Sequence, residues 1–294
     1  MASIYGEGQA APPSFSRDPF PRRGRDRWRN DTRHPGERSL SRLIEGEIIP
    51  RLMVAHPVEP VGGSLRAATL SPDDVEAFVP MVLQVEADQL VTHVERLLDR
   101  GIAVETLLVD LLAPAARALG DLWVDDRADF VEVTMGLWRL QQVVHELAGR
   151  APAARRGPQP GRHALFAPAP GEQHGFGALV VEEVFAREGW TTDRIAEPRI
   201  QDLVERVAGE WFDLVGLTVS CDSHTGTLPA VIAAMRSVSR NPRLCVMVGG
   251  RVFIDDPGLA GRVGADATAD DARVATGVAA GLVDAVAHGI ARVA

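Results

Sequence analysis

Between residues 163 and 294, short and mostly apolar runs alternate with stretches of helical periodicity. His163–Ala167, Thr191–Ile195, Asp213–Val219 (DLVGLTV) and Arg243–Val248 (RLCVMV) read as strands, with Ala265–Thr268 as a short fifth. Phe176–Glu188, Ile200–Ala208, Leu228–Ser239 and a last stretch near Asp270–Ala287 read as helices. Apolar strands separated by helices belong in a parallel sheet covered on both faces. Ligands of such sheets bind at the carboxyl ends of the strands. The loops 168–177, 219–227 and 249–256 are therefore expected to line a site.

Residues 67–149 read instead as a helical bundle. Ser71-Pro72-Asp73-Asp74 is a helix start, with Ser as cap, Pro in the first turn and acids facing the positive end. The first helix is followed by a second to about Arg100, where Gly101 ends it. A third is expected from Val104 to Leu119, bent by Pro114 and ended by Gly120, and a fourth from about Ala128 to Leu147. Four helices with short connections predict a compact antiparallel bundle. Residues 150–162, rich in Pro, Gly and Arg, read as a linker. Residues 1–66 are an Arg/Pro-rich N-terminal extension, expected to be disordered or loosely attached, with a short helix at 38–53.

Composition narrows the chemistry. All 31 basic residues are arginine, so neither a Schiff-base lysine nor a phosphate-binding P-loop lysine exists. The first 66 residues hold 11 Arg against 8 acids, leaving 20 against 32 in the remainder. An acidic body argues against nucleic-acid binding except through the Arg-rich N-terminal segment. No apolar run approaches a membrane span, and no signal peptide is visible. Cys221 and Cys245 are too few for a disulfide framework, so a reducing cytoplasm is expected.

The chemistry-bearing residues fall in the expected loops. The first reads Pro170-Gly171-Glu172-Gln173-His174-Gly175-Phe176-Gly177. Its glycines permit close backbone approach, and Glu172 lies near enough to accept a proton from one ring nitrogen of His174, which orients a metal-ligating histidine. A loop histidine with no role is the other reading. In the second loop Ser220 can donate to a heteroaromatic nitrogen or simply turn the chain. Cys221 is either packed or redox-active, and His224 is either solvated or a second ligand. In the third, Gly249-Gly250 directly after a strand suggests a group passing close to the backbone.

Taken in order, these residues resemble the cobalamin-binding domain of methionine synthase and corrinoid proteins. That family carries D-x-H-x-x-G, S-x-L and G-G after successive strands. This chain has Glu172-x-His174-x-x-Gly177, Ser220-x-Asp222 and Gly249-Gly250, and Gly264–Ala272 (GADATADDA) resembles the family's late G-A-D-x-x-A-x-D-A. Glu172 stands where the family has Asp, and Asp222 where it has Leu. The resemblance implies a four-helix cap bundle followed by a Rossmann/flavodoxin-like doubly wound α/β domain. It implies that His174 is the lower axial ligand of cobalt, with Gln173, Gly175 and Phe176 beside it in the same motif. Ser220 would contact the base of the displaced nucleotide tail, and Gly249 and Gly250 would make room for it. Leu111–Trp123 and Phe130–Leu147 resemble the last two cap helices, with Phe130 and Leu137 at positions that pack over the cobalt. Trp138, Gln141 and His145 share helical spacing on or near that face. Trp138 reads equally as core. His145 reads as a core or surface histidine, or as an upper axial ligand.

Over residues 70–294, Trp138–Gln141 (WRLQ), Glu172–Gly177, Gly216–Asp222 (GLTVSCD) and Ser239–Gly250 (SRNPRLCVMVGG) resemble the AerR/PpaA group of photosynthesis regulators of purple bacteria. This implies a cytoplasmic, non-enzymatic, light-responsive regulator that binds adenosyl- or hydroxocobalamin and acts on a repressor of the CrtJ/PpsR kind. Some relatives bind haem, which is the alternative cofactor. A corrinoid protein of a methyltransferase system is the alternative function. Light-sensing repressors of the CarH type share the bundle and corrinoid domain but add a winged DNA-binding domain and a W-x9-E-H pattern. Neither is read in this chain, and Gln141 falls near the histidine of that pattern.

Overall fold

The computed structural model describes residues 69–150, 157 and 161–289. The expectations for residues 1–66, including the helix at 38–53, and most of the linker lie outside the described residues. Among the described residues no helix is long and apolar enough to cross a membrane.

Helix α1 (Pro72–Gln84) starts as its sequence dictates. The Ser71 hydroxyl accepts from the Asp74 N–H at 3.2 Å, and the Asp74 carboxylate accepts from the Ser71 N–H at 2.9 Å. Helix α2 (Ala87–Asp99) follows after a break at Val85 and Glu86. Helix α3 departs from expectation. It begins at Val104–Thr106, widens into a π-helical stretch over Leu107–Leu112, and continues as Ala113–Val124 through Gly120. The Ala113 N–H bonds the Leu108 carbonyl, five residues back. Pro114 follows directly on the widened stretch, one residue after the bond that reaches five residues back. The chain turns only at Asp125 and Asp126, the latter at φ 55°. Helix α4 (Phe130–Arg150) opens with a second reciprocal cap between Asp129 and Glu132, both bonds at 2.8 Å. At Gly136 it lies so close to α3 that a Cβ would come within 2.9 Å of Leu119. Buried Arg139 donates to the carbonyls of Val82 and Leu83, both at 3.2 Å, closing the C-terminal end of α1.

The second half is a four-stranded parallel sheet in the order β2-β1-β3-β4, from β1 (His163–Pro168), β2 (Thr191–Arg194), β3 (Leu214–Thr218) and β4 (Cys245–Gly249). The expected fifth strand is reduced to one parallel bridge, Met247 with Ala267. Gly216 is required inside β3, because a Cβ there would fall 2.6 Å from the Phe166 ring on its neighbour in register.

Helices α5 (Phe176–Arg187) and α10 (Ala272–Ala287) cover one face through Phe185 and Ala279. Helices α6 (Ile200–Gly209) and α7 (Leu228–Val238) cover the other through Leu203, Val207, Val231 and Met235. Two short helices, α8 (Arg251–Asp255) and α9 (Leu259–Arg262), follow β4.

Helix α5 has a second apolar face. Phe176, Leu179, Val180 and Val184 join the core of the helical bundle, so α5 is shared by both layers. Polar links reinforce this. Arg187, 1% exposed, donates to the Leu147 carbonyl at 3.1 Å and pairs with Glu183 at 3.0 Å and Glu105 at 3.8 Å. Asp110, within the π-helical stretch, takes both Nη groups of Arg273 on α10 at 2.8 and 2.7 Å.

Candidate functional site

The loop after β1 owes its shape to Pro170-Gly171. The Glu172 N–H closes onto the Ala169 carbonyl at 2.9 Å, and Gly171 takes φ 87°, the positive φ that a type II turn needs at its third position. The turn delivers Glu172 inward, so that its side chain is 1% exposed. One oxygen, Oε2, accepts the Ser220 N–H at 2.8 Å and the Cys221 N–H at 3.2 Å from the loop after β3. The other, Oε1, accepts the His174 N–H at 3.1 Å and pairs with His174 Nδ1. Burial pushes the carboxyl pKa up, but the Ser220 N–H, the His174 ring and the His174 N–H together outweigh it and hold it at about 2. The imidazole is 52% exposed, with Nδ1 turned to the carboxylate. Nε2 is then the nitrogen available to a metal, the arrangement of a carboxylate-oriented ligand histidine.

Around this pair the structure sorts the expected residues. Gln173 and Asp222 are exposed, Asp222 opening the 3₁₀ turn Asp222–Thr227. Gly175 precedes α5, its N–H bonded to the Gln173 carbonyl at 3.0 Å. Phe176, expected beside the ligand, is instead packed into the bundle core, because the first turn of α5 points it there. The His224 ring lies 3.5 Å from where a Cβ of Gly171 would stand. The Cys221 thiol pKa is pushed up by burial and by the charges of Glu172 and Asp222, the opposite of a redox-active thiolate.

The two late glycines differ. Gly250, at φ 113°, abuts the Val219 carbonyl, and a Cβ would collide with it at 2.2 Å. Gly249 has nothing within 4 Å of its missing Cβ. Its register partner is Thr218, whose buried Oγ1 has no hydrogen-bond partner among the described residues. A Cβ on Gly177 would lie 4.0 Å from the Thr218 methyl. Three small or orphaned groups thus meet at the carboxyl ends of β3 and β4. Ser220, expected to contact the nucleotide tail, has its backbone N–H held by Glu172 at 2.8 Å, and Thr218, not singled out in the sequence, is the polar side chain that closes apolar β3. An unpaired hydroxyl flanked by two glycines is able to donate to a ring nitrogen of a flat group.

On the helical layer, Phe130 is 69% and Trp138 47% exposed, alongside exposed Trp123, Val124, Val131 and Met135. Leu137 is half-buried against the bundle core and Gln141 half-buried. Asp121 of α3 pairs at 3.8 Å with Arg251, just past the end of β4, so this end of the helical layer lies near the site edge. His145 does not join it. It borders a cavity of about 340 Å³ with Glu182, Glu183 and Ala186 of α5 and Thr192 and Arg194 of β2. Since α5 starts beside His174 and rises ~1.5 Å per residue, Glu182 lies more than a turn from that start, and the structure does not bring His145 and His174 together.

Two family models match the two halves of this architecture. Residues 162–277 match the model of a B12 binding domain, and residues 75–147 match a second B12 binding domain model. The chain is 29% identical over 170 residues, 58% of its length and 88% of the relative's, to an uncharacterized 20.5 kDa protein in the bchF-crtJ intergenic region of Rhodobacter capsulatus. It is similar to the monomethylamine corrinoid protein of Methanosarcina barkeri, with 18% identity, 70% of this chain and 89% of that one covered, and a TM-score of 0.49. It is also similar to a cobalamin-binding protein of Desulfitobacterium hafniense, with 16% identity, 71% and 98% covered, and a TM-score of 0.38. The chain thus carries a helical B12 binding domain over 75–147 ahead of an α/β B12 binding domain over 162–277.

Proposed function

We propose that this chain is a cobalamin-dependent, light-responsive regulator of photosynthesis genes, without catalytic activity, that acts on a CrtJ/PpsR-type repressor. The observation that carries the corrinoid part is the Glu172–His174 pair: a buried carboxylate holds Nδ1 while the ring stands half-exposed at the carboxyl edge of the sheet. When bound, cobalamin supplies a light-absorbing cobalt centre with an exchangeable upper ligand. His174 Nε2 would take the lower position, with Glu172 fixing the ring. Thr218 and Gly249 would receive the nucleotide tail. The exposed strip of Phe130 and Trp138 would cover the opposite face, which gives a purpose to apolar side chains that a folded surface otherwise disfavours. The regulatory part is supported by the resemblance to the AerR/PpaA group and by the relative whose name places it between bchF and crtJ.

The test is the absorption spectrum with adenosyl- and hydroxocobalamin, in the dark and after illumination, for the parent and His174→Ala. A His174-dependent shift in bound-corrinoid spectrum is expected. Identical binding and spectra in the variant would remove His174 as lower ligand. Binding to a purified repressor of the stated kind, compared in dark and light, tests the regulatory half.

A further inference from the structure

The loops that present His174 also bring a third ligand atom beside it. The Glu172 carboxylate, the His174 imidazole and the Cys221 thiol each offer an atom, and the three lie within 4.8 Å of one another. The set is graded in burial, with Glu172 buried, Cys221 half-buried and His174 exposed, so a cation would enter from the histidine side. Carboxylate, imidazole and thiolate together suit Zn²⁺, which takes them at about 2.0–2.3 Å in a tetrahedron and leaves a fourth position to water. We propose that, in the absence of corrinoid, Glu172, His174 and Cys221 bind a soft divalent cation of the Zn²⁺ class, exclusively of a metal at His174 Nε2.

The chemistry balances without a redox change. The cation bonds to Sγ, to Nδ1 and to Oε1, taking the place of the proton that now lies between Nδ1 and Oε1. That proton moves to Nε2, keeping the imidazole neutral, and the thiol proton passes to water. Glu172 and Asp222, whose charges disfavour a bare thiolate, attract a cation instead. The exposed ring supplies the rotation that widens the Nδ1–Oε1 gap. Exclusion follows from the tautomer: a ring metallated at Nδ1 carries its proton on Nε2 and has no lone pair there for cobalt. The cation site stands on geometry independent of the proposed function, whereas the exclusion rests on that reading.

The experiment titrates Zn²⁺ calorimetrically into the corrinoid-free full chain, in two buffers of different ionisation enthalpy, and Cd²⁺ while following the ultraviolet thiolate-to-cadmium band. The parent is expected to take up one cation and release about one proton. Cys221→Ala and His174→Ala should each weaken binding by about tenfold or more, and Cys221→Ala should abolish the cadmium band while Cys245 remains. Cys221→Ser, isosteric, should fold as the parent and still lose the band. No uptake by the parent, or a band and affinity unchanged in Cys221→Ala, overturns the proposal. Hydroxocobalamin is then added to the Zn²⁺-loaded chain: displacement supports exclusion, and simultaneous binding overturns it. A chain that binds Zn²⁺ through Cys221 but takes up no corrinoid when free of Zn²⁺ refutes the proposed function and leaves the cation site standing.

Discussion

Glu172 binds His174 twice through one oxygen, at the ring Nδ1 and at the backbone N–H, while its other oxygen is held by the N–H groups of Ser220 and Cys221. Two loops are thereby fastened to one buried charge. The carboxyl titrates at about 2 instead of its ordinary 4.5. A carboxyl depressed in the folded state contributes stability above its unfolded value, and that contribution disappears as the pH falls through its folded value. The unfolding free energy is therefore expected to fall by about 3 kcal/mol between roughly pH 5 and pH 2 on account of this group. Urea denaturation across that range should show the loss in the parent, and Glu172→Gln should flatten that portion. A parent profile no steeper than the variant's would contradict it.

The glycine pair after β4 separates folding from ligand accommodation. Gly250→Ala places a Cβ against the Val219 carbonyl at a φ that L-residues avoid. It should cost about 2–4 kcal/mol and lower the thermal midpoint. Gly249→Ala meets nothing and should change stability by less than about 0.5 kcal/mol. The same methyl narrows the space beside Thr218, so Gly249→Ala should weaken hydroxocobalamin binding while folding normally. Equal melting temperatures for both variants would contradict the assignment.

How far the sequence reached depended on whether a local pattern or a distant neighbour decided each residue. The strands of a buried parallel sheet read as apolar runs, so β1, β3 and β4 were legible within two residues. The Glu172–His174 pairing follows from residues only two apart in sequence. Helix α3 was not legible in the same way. Gly120 looks like a stop, yet the π-helical widening upstream and the core around Leu119 carry the helix past it. Phe176 sits inside a recognisable motif, but the bundle that claims its ring lies far upstream in sequence. Helical spacing places His145 near Trp138, while its surroundings are set by α5 and β2, which no pattern within α4 reports.

Two arginines join the helical layer to the α/β layer with opposite energetics. Arg187 is buried among Glu105, Glu183 and the Leu147 carbonyl. Arg187→Ala leaves buried Glu183 without its Arg187 pairing and opens a cavity, for which about 3–5 kcal/mol is expected. The Arg273–Asp110 pair is bidentate but partly exposed, with side chains 42% and 39% accessible. Arg273→Ala should cost no more than about 1 kcal/mol, and added salt should shrink the difference. Denaturant midpoints of both variants at low and high salt check this. A salt-sensitive Arg187 and a salt-insensitive Arg273 would reverse the assignment.

Thr218 offers the sharpest test of ligand accommodation. Its hydroxyl is buried at the end of β3 without a partner among the described residues. A polar group in that condition costs the folded state about 1–3 kcal/mol in lost hydration. Thr218→Val keeps the shape and removes the hydroxyl, so the ligand-free protein should be as stable as the parent or more stable by about 1 kcal/mol. In the presence of cobalamin the order should reverse. If the tail's ring nitrogen receives the Thr218 proton, the valine variant loses one buried hydrogen bond and about five- to tenfold in affinity, since ~1 kcal/mol is close to a factor of five. Ser220→Ala, whose link to Glu172 runs through its backbone N–H, should leave both quantities nearly unchanged. Thermal melts with and without hydroxocobalamin, together with a binding titration, measure all four values. A Thr218→Val protein that binds as the parent does, or a Ser220→Ala protein that does not, would return the contact to Ser220.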